Sequence, residues 1–184
     1  MKNAFCTLLS SKNYLNAVLA LNESLKRVQS KYPLLVMVTL DIINENLIKI
    51  LTNNGIELIE PIPVLSYSEK TKQKWKGHSV LNTASKLNIF TLTHYNKLIY
   101  IDADCVFYKN CDNLFNYPDG SMLKLQEDVG GCSTLFVIEP KYHEEAKYFR
   151  SILKYNDCFD GDLLENLFFI VKHDKRYQIP EKIF

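Results

Sequence analysis

Two aspartates separated by one residue follow a short apolar run in the middle of the chain. Leu98–Ile101 forms the apolar run, and Asp102 and Asp104 come directly after it with Ala103 between them. Because residues two apart in an extended backbone point the same way, we expect both carboxylates on one side and Ala103 on the other. Paired carboxylate oxygens suit Mg2+ or Mn2+, and these ions usually also bind substrate phosphates. The pattern therefore predicts a divalent-cation site.

The predicted position of this pair in the fold supports that interpretation. Four consecutive buried-type residues indicate a central strand covered on both faces, as in a parallel sheet. Open α/β sheets bind their ligands at the carboxyl ends of such strands. A second Asp-x-Asp, Asp160-Gly161-Asp162, shows that one such pair can also arise by chance. The interpretation therefore depends on the elements that surround the first pair.

Strands and helices alternate along the chain. We predict strands at residues 4–9, 34–40, 56–59, 98–101 and 134–138. Helices are predicted at residues 14–28, 41–51, 81–94, 140–152 and 163–171. The polar, lysine-rich residues 66–79 predict a mobile flap, and residues 110–128 predict a loop-rich connection. Because no linker interrupts this order, we expect one doubly wound α/β domain over residues 1–184.

The composition argues against several classes of function. The 184 residues are 47% apolar and 23% charged, which is ordinary for a globular protein. A net charge of +1 gives no electrostatic case for binding nucleic acid. Five scattered cysteines without a Cys-x-x-Cys favour reduced, intracellular thiols over a disulfide framework or a zinc knuckle. No apolar run has the length of a signal peptide or a membrane span, so we expect a cytoplasmic protein.

The residues around the aspartate pair also resemble a known family. A Gly-x-Gly-x-x-Gly motif is absent after the first strand, so a nucleotide would have to be held in another way. Several segments are instead similar to glycogenin and other family 8 glycosyltransferases, with matching spacing through the middle of the chain. These segments are Phe5–Ser11 with Tyr14, Ser85–Leu87, Leu92–Lys97, Ile101–Asp104, Asn113–Phe115, Ser133–Pro140 and Phe159–Asp162. The resemblance covers nearly the whole chain.

This resemblance implies an A-type glycosyltransferase fold. Such a fold has a Rossmann-like, mostly parallel sheet flanked by helices, with the Asp-x-Asp motif at the end of a central strand. The implied activity is the metal-dependent transfer of a hexose from a UDP-sugar to an unknown sugar or protein acceptor, with retention of anomeric configuration. The implied cofactor is Mn2+ or Mg2+, and a homodimer is compatible with the resemblance.

The resemblance also implies roles for individual residues. The residues that would hold the uridine are Leu8, Ser10, Ser11 and Tyr14, with Tyr14 stacking on the base. The metal ligands would be Asp102 and Asp104, and the backbone of Ala103 would contact the ribose. Lys86 would contact the donor, and Ser133 would face the sugar together with Asp160 or Asp162. The candidate catalytic residues are Asp162, Asp160 and Lys86. Whether Asp162 is a nucleophile or only stabilises positive charge on the sugar stays open.

Each of these roles has a simpler structural alternative. Tyr14 is by default a helix-surface aromatic that packs on the core, and Lys86 a solvated helix lysine. Asp160 and Asp162 can simply cap the last predicted helix. Ser10 and Ser11 can cap the first helix, which does not exclude contact with a uridine.

Several positions depart from the family pattern. Cys132, Thr134 and Leu163 stand where the family has Asn, Gly and Gln. The His-x-x-Gly-x-x-Lys segment that completes the family's metal site is not found around any of the four histidines. A competing hypothesis is therefore a degenerate relative that binds a nucleotide or a partner without turnover. A haloacid-dehalogenase-type phosphatase is disfavoured because Val106 stands where those enzymes carry Thr.

Overall fold

A computed structural model describes residues 2–74, 79–124, 132–140, 164 and 175–180 of the chain. Within these residues, seven strands form one sheet. The strands are β1 (Lys2–Leu9), β2 (Leu34–Val38), β3 (Glu57–Leu58), β4 (Tyr95–Ile101), β5 (Met122–Lys124), β6 (Cys132–Ile138) and β7 (Gln178–Pro180). Their order across the sheet is β3-β2-β1-β4-β6-β5-β7.

The half of the sheet that contains β1 is parallel. β1 pairs in parallel with both β2 and β4, and β2 pairs in parallel with β3. The second half is mixed, because β6 runs antiparallel to β4 and to β5 while β7 is parallel to β5. Register pairs Leu9 with Val38 and Cys6 with Tyr100, so β1, β2 and β4 end at the same edge. The expectation of a Rossmann-like, mostly parallel sheet is confirmed.

Helices flank this sheet. The α-helices are α1 (Leu15–Arg27), α2 (Glu45–Asn53) and α3 (Glu69–Lys74). More tightly wound 3-10 segments cover Lys12–Tyr14, Ser79–Thr91, Asp112–Asn116 and Lys175–Tyr177. None of the helices in the described residues combines the length and hydropathy that a membrane-spanning helix needs.

The core lies on both faces of the sheet, because alternate residues of each central strand point to opposite sides. On β4, Leu98 and Tyr100 pack into one apolar cluster, and Ile99 and Ile101 pack into the other. All four side chains are buried. The prediction that this strand is covered on both faces is therefore correct.

The segment predicted as a mobile flap contains a short helix. Residues 69–74 form α3, and the backbone N–H of Thr71 donates to Ser68 Oγ at 3.1 Å. Glu69 lies in the first turn, and Lys72 and Lys74 lie in the last, as the helix dipole favours. The polar composition was thus a poor guide here, since the same residues carry the signals of a capped helix.

The helix predicted at residues 81–94 is a 3-10 segment that ends at Thr91. Within it, Asn88 Nδ2 donates to Ser85 O at 2.8 Å, and Thr91 Oγ1 donates to Asn88 O at 2.7 Å. Side chains of this kind compete with the backbone for carbonyl oxygens and so disfavour a regular α-helix. The predicted loop at residues 110–128 likewise contains the 3-10 turn Asp112–Asn116 and β5.

Three other results complete the comparison with the sequence. The strand β7 was not predicted. The helix predicted at 140–152 lies, after its first residue, outside the described residues. Of the helix predicted at 163–171, the structure describes Leu164 alone, and that residue is helical and buried.

Candidate functional site

A cavity of about 180 Å³ opens at the edge where β1 and β4 end. The residues that line it are Leu8, Ser10, Tyr14, Thr83, Tyr100, Asp102, Ala103 and Asp104. Six of them are residues that the sequence analysis assigned to a nucleotide and a metal. The end of the first strand and the aspartate pair, about ninety positions apart in sequence, therefore share one cleft.

The aspartate pair lies in a turn that follows β4, not in extended backbone. The backbone N–H of Asp102 donates to Thr134 O at 2.9 Å, and the N–H of Cys105 donates to Asp102 O at 3.2 Å. The expectation of an extended Asp-x-Asp segment is wrong, because the chain turns as soon as it leaves the sheet. The two carboxylates nevertheless line the same cavity, while Ala103 packs into the core and also forms part of the cavity wall.

The two aspartates have different surroundings. Oδ1 of Asp102 accepts a hydrogen bond from Lys86 Nζ at 3.2 Å and another from the Tyr100 hydroxyl at 3.0 Å. Asp104 is exposed and has no hydrogen bond or ion pair with another described residue. The described residues therefore hold the carboxylate of Asp102 in place and leave that of Asp104 exposed without a bond to them.

Lys86 lies behind Asp102 and is 3% exposed. Its Nζ is 3.4 Å from Ser133 Oγ and 3.5 Å from Ser133 O, and it lies 5.0 Å from the centre of the Tyr100 ring. The alternative of a solvated helix lysine is thus wrong, since this ammonium group is buried beside a carboxylate. Lys86 is not among the cavity-lining residues, and direct contact with a donor stays a prediction.

The 3-10 segment that carries Lys86 is fastened to the neighbouring loop. The backbone N–H of Leu65 donates to Ser85 Oγ at 2.9 Å, and Asn88 Nδ2 donates to Pro63 O at 3.0 Å. Ser85 and Asn88 are both fully buried. These partly buried hydrogen bonds hold the segment in place and thereby fix the position of Lys86.

The remaining predicted site residues fall into two groups. Ser11 does not line the cavity, and its Oγ accepts from the N–H of Asn13 at 3.4 Å, as a cap of the Lys12–Tyr14 turn. Ser133 does not line the cavity either, but it contacts Lys86. Asp160 and Asp162 lie outside the described residues, so their roles stay predictions.

Two cavity residues were missed from the sequence. Tyr100 stands two positions before Asp102, and because an alternating strand pattern predicts both on one face, this spacing could have revealed it. Thr83 carries no comparable signal. Its Oγ1 is 2.8 Å from the hydroxyl of Tyr67, which is buried on the loop before α3.

The ligand set at this edge is small. No group of three or more His, Cys, Asp or Glu side chains that could hold a metal ion occurs among the described residues. Asp102 and Asp104 provide hard carboxylate oxygens of the kind that Mg2+ and Mn2+ accept as ligands.

Comparisons with solved structures identify the fold. The apo form of the glycosyltransferase GlyE of Streptococcus pneumoniae TIGR4 superposes with a TM-score of 0.65 at 16% identity, covering 100% of this chain and 46% of that one. The galactosyltransferase LgtC, solved with donor and acceptor sugar analogs, superposes with a TM-score of 0.55 at 16% identity, covering 91% and 70%. The fold is the A-type glycosyltransferase fold that the sequence resemblance implies.

Sequence relatives give the family. Galactinol synthase 3 of Arabidopsis thaliana is 35% identical over 142 residues, which are 77% of this chain and 41% of that protein. Galactinol synthase 2 of Solanum lycopersicum is 36% identical over 140 residues, 76% of this chain and 40% of that protein. The chain thus spans less than half the length of these relatives. The sequence model of glycosyl transferase family 8 matches residues 5–157, and the chain belongs to that family.

Proposed function

We propose that this chain forms the donor-binding part of a metal-dependent, retaining glycosyltransferase that takes a hexose from a UDP-sugar. The observation that carries the proposal is the shared cavity, whose lining includes Leu8, Ser10 and Tyr14 from β1 and the segment after it, and Asp102 and Asp104 from the turn after β4. A nucleoside diphosphate has an aromatic base at one end and an anionic diphosphate at the other. Its two ends therefore need different partners, and the cavity offers both.

The first strand and the turn after it would bind the uridine. Tyr14 is half-buried at the start of α1, so one side of its ring is supported while the rest remains accessible to a base. Leu8 contributes an apolar surface, and Ser10 a hydroxyl that can donate or accept a hydrogen bond. Ser11 would support this wall as a cap. The backbone of Ala103, between the aspartates, would contact the ribose.

Asp102 and Asp104 would hold Mn2+ or Mg2+ on the diphosphate. The residues fit such an ion, because both aspartates line the cavity and Asp104 has no protein partner in the described part of the chain. When bound, the cation would neutralise charge on the UDP leaving group. Lys86 adds a buried positive charge on the protein side of Asp102. This charge compensates part of the negative charge of the two neighbouring carboxylates.

The sugar would lie towards Ser133, with Asp160 and Asp162 as the candidate acidic groups. In a retaining reaction, one of these carboxylates would act on the anomeric carbon as a nucleophile or as a stabiliser of positive charge. Galactinol synthase and galactosyltransferase are names that indicate galactose. UDP-galactose is therefore the first donor to test, with UDP-glucose as the comparison.

A second candidate function is nucleotide binding without turnover. Leu163 stands where the family has Gln, and an aliphatic side chain cannot hydrogen-bond a sugar hydroxyl. Loss of such a contact weakens discrimination and orientation of the donor sugar. Release of galactose or glucose from the UDP-sugar, above the level given by a metal-site variant, would exclude this candidate.

Calorimetric titration with UDP in the presence and absence of Mn2+ tests the proposal. We expect binding by the wild-type protein to depend on Mn2+, and we expect the variant with both Asp102→Asn and Asp104→Asn to lose that dependence. The matched control is Glu23→Gln plus Glu45→Gln, which removes the same charge from exposed helix positions outside the cavity. Wild-type protein that binds no UDP with Mn2+ present would overturn the proposal.

A further inference from the structure

The two carboxylate oxygens of Asp102 differ in the hydrogen bonds that they accept from the described residues. Both hydrogen bonds that it accepts from side chains, from Lys86 Nζ and the Tyr100 hydroxyl, end on Oδ1. Oδ2 has no hydrogen-bond partner among the described residues. The side chain remains 30% exposed, and Asp102 lines the cavity. Among the described residues, Oδ1 is therefore hydrogen-bonded twice and Oδ2 is not hydrogen-bonded, in a side chain that remains partly exposed at the cleft.

Two donors are enough to fill one carboxylate oxygen. An ionised carboxylate has about four lone-pair sites, two on each oxygen. With Lys86 and Tyr100 in place, Oδ1 has no site left for a further strong contact, whereas Oδ2 keeps both of its sites. A cation that approached both oxygens at once would have to displace one of the two donors.

The Tyr100 ring is held so that its hydroxyl cannot easily move away. The side chain is 2% exposed, and its ring stacks on Phe136 with 4.9 Å between centroids and 17° between planes. Tyr100 and Phe136 are also register partners of β4 and β6. Lys86 Nζ lies 5.0 Å from the ring centre. Because the ring is packed between a strand neighbour and a buried ammonium, the hydroxyl fixes the plane of the Asp102 carboxylate.

We infer that Tyr100 is a positioning residue, whose hydroxyl joins Lys86 in occupying Oδ1 of Asp102 and leaves Oδ2 as the single oxygen offered to a divalent cation. This inference rests on the proposed function, since it concerns the same metal site. It has a chemical consequence for the choice of ion. Ca2+ accepts carboxylates through both oxygens and with flexible geometry, whereas Mg2+ requires a near-octahedral arrangement of single oxygens. A one-oxygen Asp102 favours the smaller ions.

The variant Tyr100→Phe tests this inference most cleanly. It removes one oxygen atom and keeps the ring that stacks on Phe136. Substitution of Lys86 is less informative, because it would leave the Asp102 charge without its buried partner and so affect folding. Tyr108→Phe is the matched control, because Tyr108 is 86% exposed and does not line the cavity.

The measurement is binding of Mn2+ and of Ca2+ in the presence of saturating UDP. Loss of the paramagnetic resonance signal of free Mn2+ reports the first ion, and competition with Mn2+ reports the second. Since loss of a partner that orients a metal ligand typically costs 10–100-fold in affinity, we expect Mn2+ to bind about 10-fold more weakly to the Tyr100→Phe protein. Ca2+ affinity should fall less, so that the ratio of Mn2+ to Ca2+ affinity falls several-fold. A purely structural defect would weaken both ions alike.

The outcomes distinguish a failure of the proposed function from a failure of the inference about Tyr100. Wild-type protein that binds no Mn2+ with UDP would overturn the proposed function, and this inference with it. Wild-type binding with an unchanged Mn2+ to Ca2+ ratio in Tyr100→Phe would overturn the inference alone. Should Tyr100→Phe fail to fold, infrared difference spectra of the wild type on Mn2+ loading decide, with Asp102→Asn identifying the band. The splitting of the carboxylate stretches is wide for one-oxygen and narrow for two-oxygen binding, and a narrow splitting would contradict the inference.

Discussion

Asp102 and Asp112 lie at the two ends of one loop, yet their carboxylates are used differently. Asp112 has both oxygens bound: Oδ1 accepts from Ser30 Oγ at 2.7 Å, and Oδ2 accepts from the N–H of Lys31 at 3.0 Å and from Asn110 Nδ2 at 3.3 Å. Among the described residues, Asp102 accepts hydrogen bonds on Oδ1 only, and it lines a cavity. Both residues are aspartates. What distinguishes the structural Asp112 from the candidate ligand Asp102 is the number of carboxylate oxygens that accept no hydrogen bond from a described residue.

The Asp112 end of the loop fastens the candidate site to α1. Asn110 Nδ2 also donates to Val28 O at 3.2 Å and to Gln29 O at 3.1 Å, where α1 ends. In the last turn of the same helix, Ser24 Oγ accepts from the N–H of Phe107 at 3.0 Å in a buried position. The turn that carries Asp104 is therefore connected to a loop that is anchored at several points. Rigid support of this kind is what a metal ligand on a loop requires.

The largest effect that would sharpen this comparison is expected at Asp104. Because Asp104→Asn removes a charge that has no partner in the described residues, its free energy of unfolding should change by no more than about 0.5 kcal/mol. Its metal-dependent UDP binding should nevertheless weaken by about 100-fold, because loss of a partner that only orients a metal ligand already costs about 10–100-fold in metal affinity and Asp104 would be a ligand itself. Urea titration and calorimetry measure the two quantities. A large loss of stability with intact binding would reverse the roles assigned to the two aspartates.

Asp112→Asn is expected to give the opposite pattern. The amide places a donor against Lys31 N–H or Asn110 Nδ2, so at least one hydrogen bond to the former carboxylate is lost. Hydrogen bonds to charged groups contribute about 1.5–3 kcal/mol, and we expect the free energy of unfolding to fall by about 2 kcal/mol. Binding of UDP and Mn2+ by the folded protein should stay at the wild-type level. Equal loss of stability in Asp104→Asn and Asp112→Asn would contradict the comparison.

The sequence was sufficient to predict the central strand and the aspartate pair at its end, because both follow from the hydrophobic pattern. An apolar run that ends in two aspartates predicts a buried strand and an acidic edge, and both are observed at Leu98–Ile101 and Asp102–Asp104. The parallel register then brings Leu8 and Ser10 to the same cavity, as the order of strands and helices implies. Tyr100 could have been added from its spacing alone.

The hydrogen bonds of Asp112 and the burial of Lys86 depend instead on contacts between distant parts of the chain. Ser30 and Asp112 are 82 positions apart, and neither stands in a pattern that marks it. The burial of Lys86 was not predictable for the same reason, since only the folded chain brings it to Asp102 and Ser133. The turn at residues 102–104 was missed because the residue pattern shows where the buried strand ends, but it does not show which backbone conformation the chain adopts after that point.

The smallest effect should come from the acidic pH dependence of stability. Burial of Asp112 by itself raises its pKa, but hydrogen bonds from Ser30, Lys31 and Asn110 outweigh burial and hold the pKa below its usual range. A carboxylate with a lowered pKa in the folded state stabilises the protein at pH values above its unfolded pKa of about 3.9. That stabilisation is lost as the pH falls through the folded pKa. The stability difference between the wild type and Asp112→Asn should therefore be constant near neutral pH and shrink below about pH 4.

Chemical unfolding of both proteins between neutral and acidic pH gives this difference directly. A gap that stays constant through the acidic range would show that the bonds to Asp112 do not depend on its charge, and would leave hydrogen-bond geometry alone as the distinction between the two aspartates.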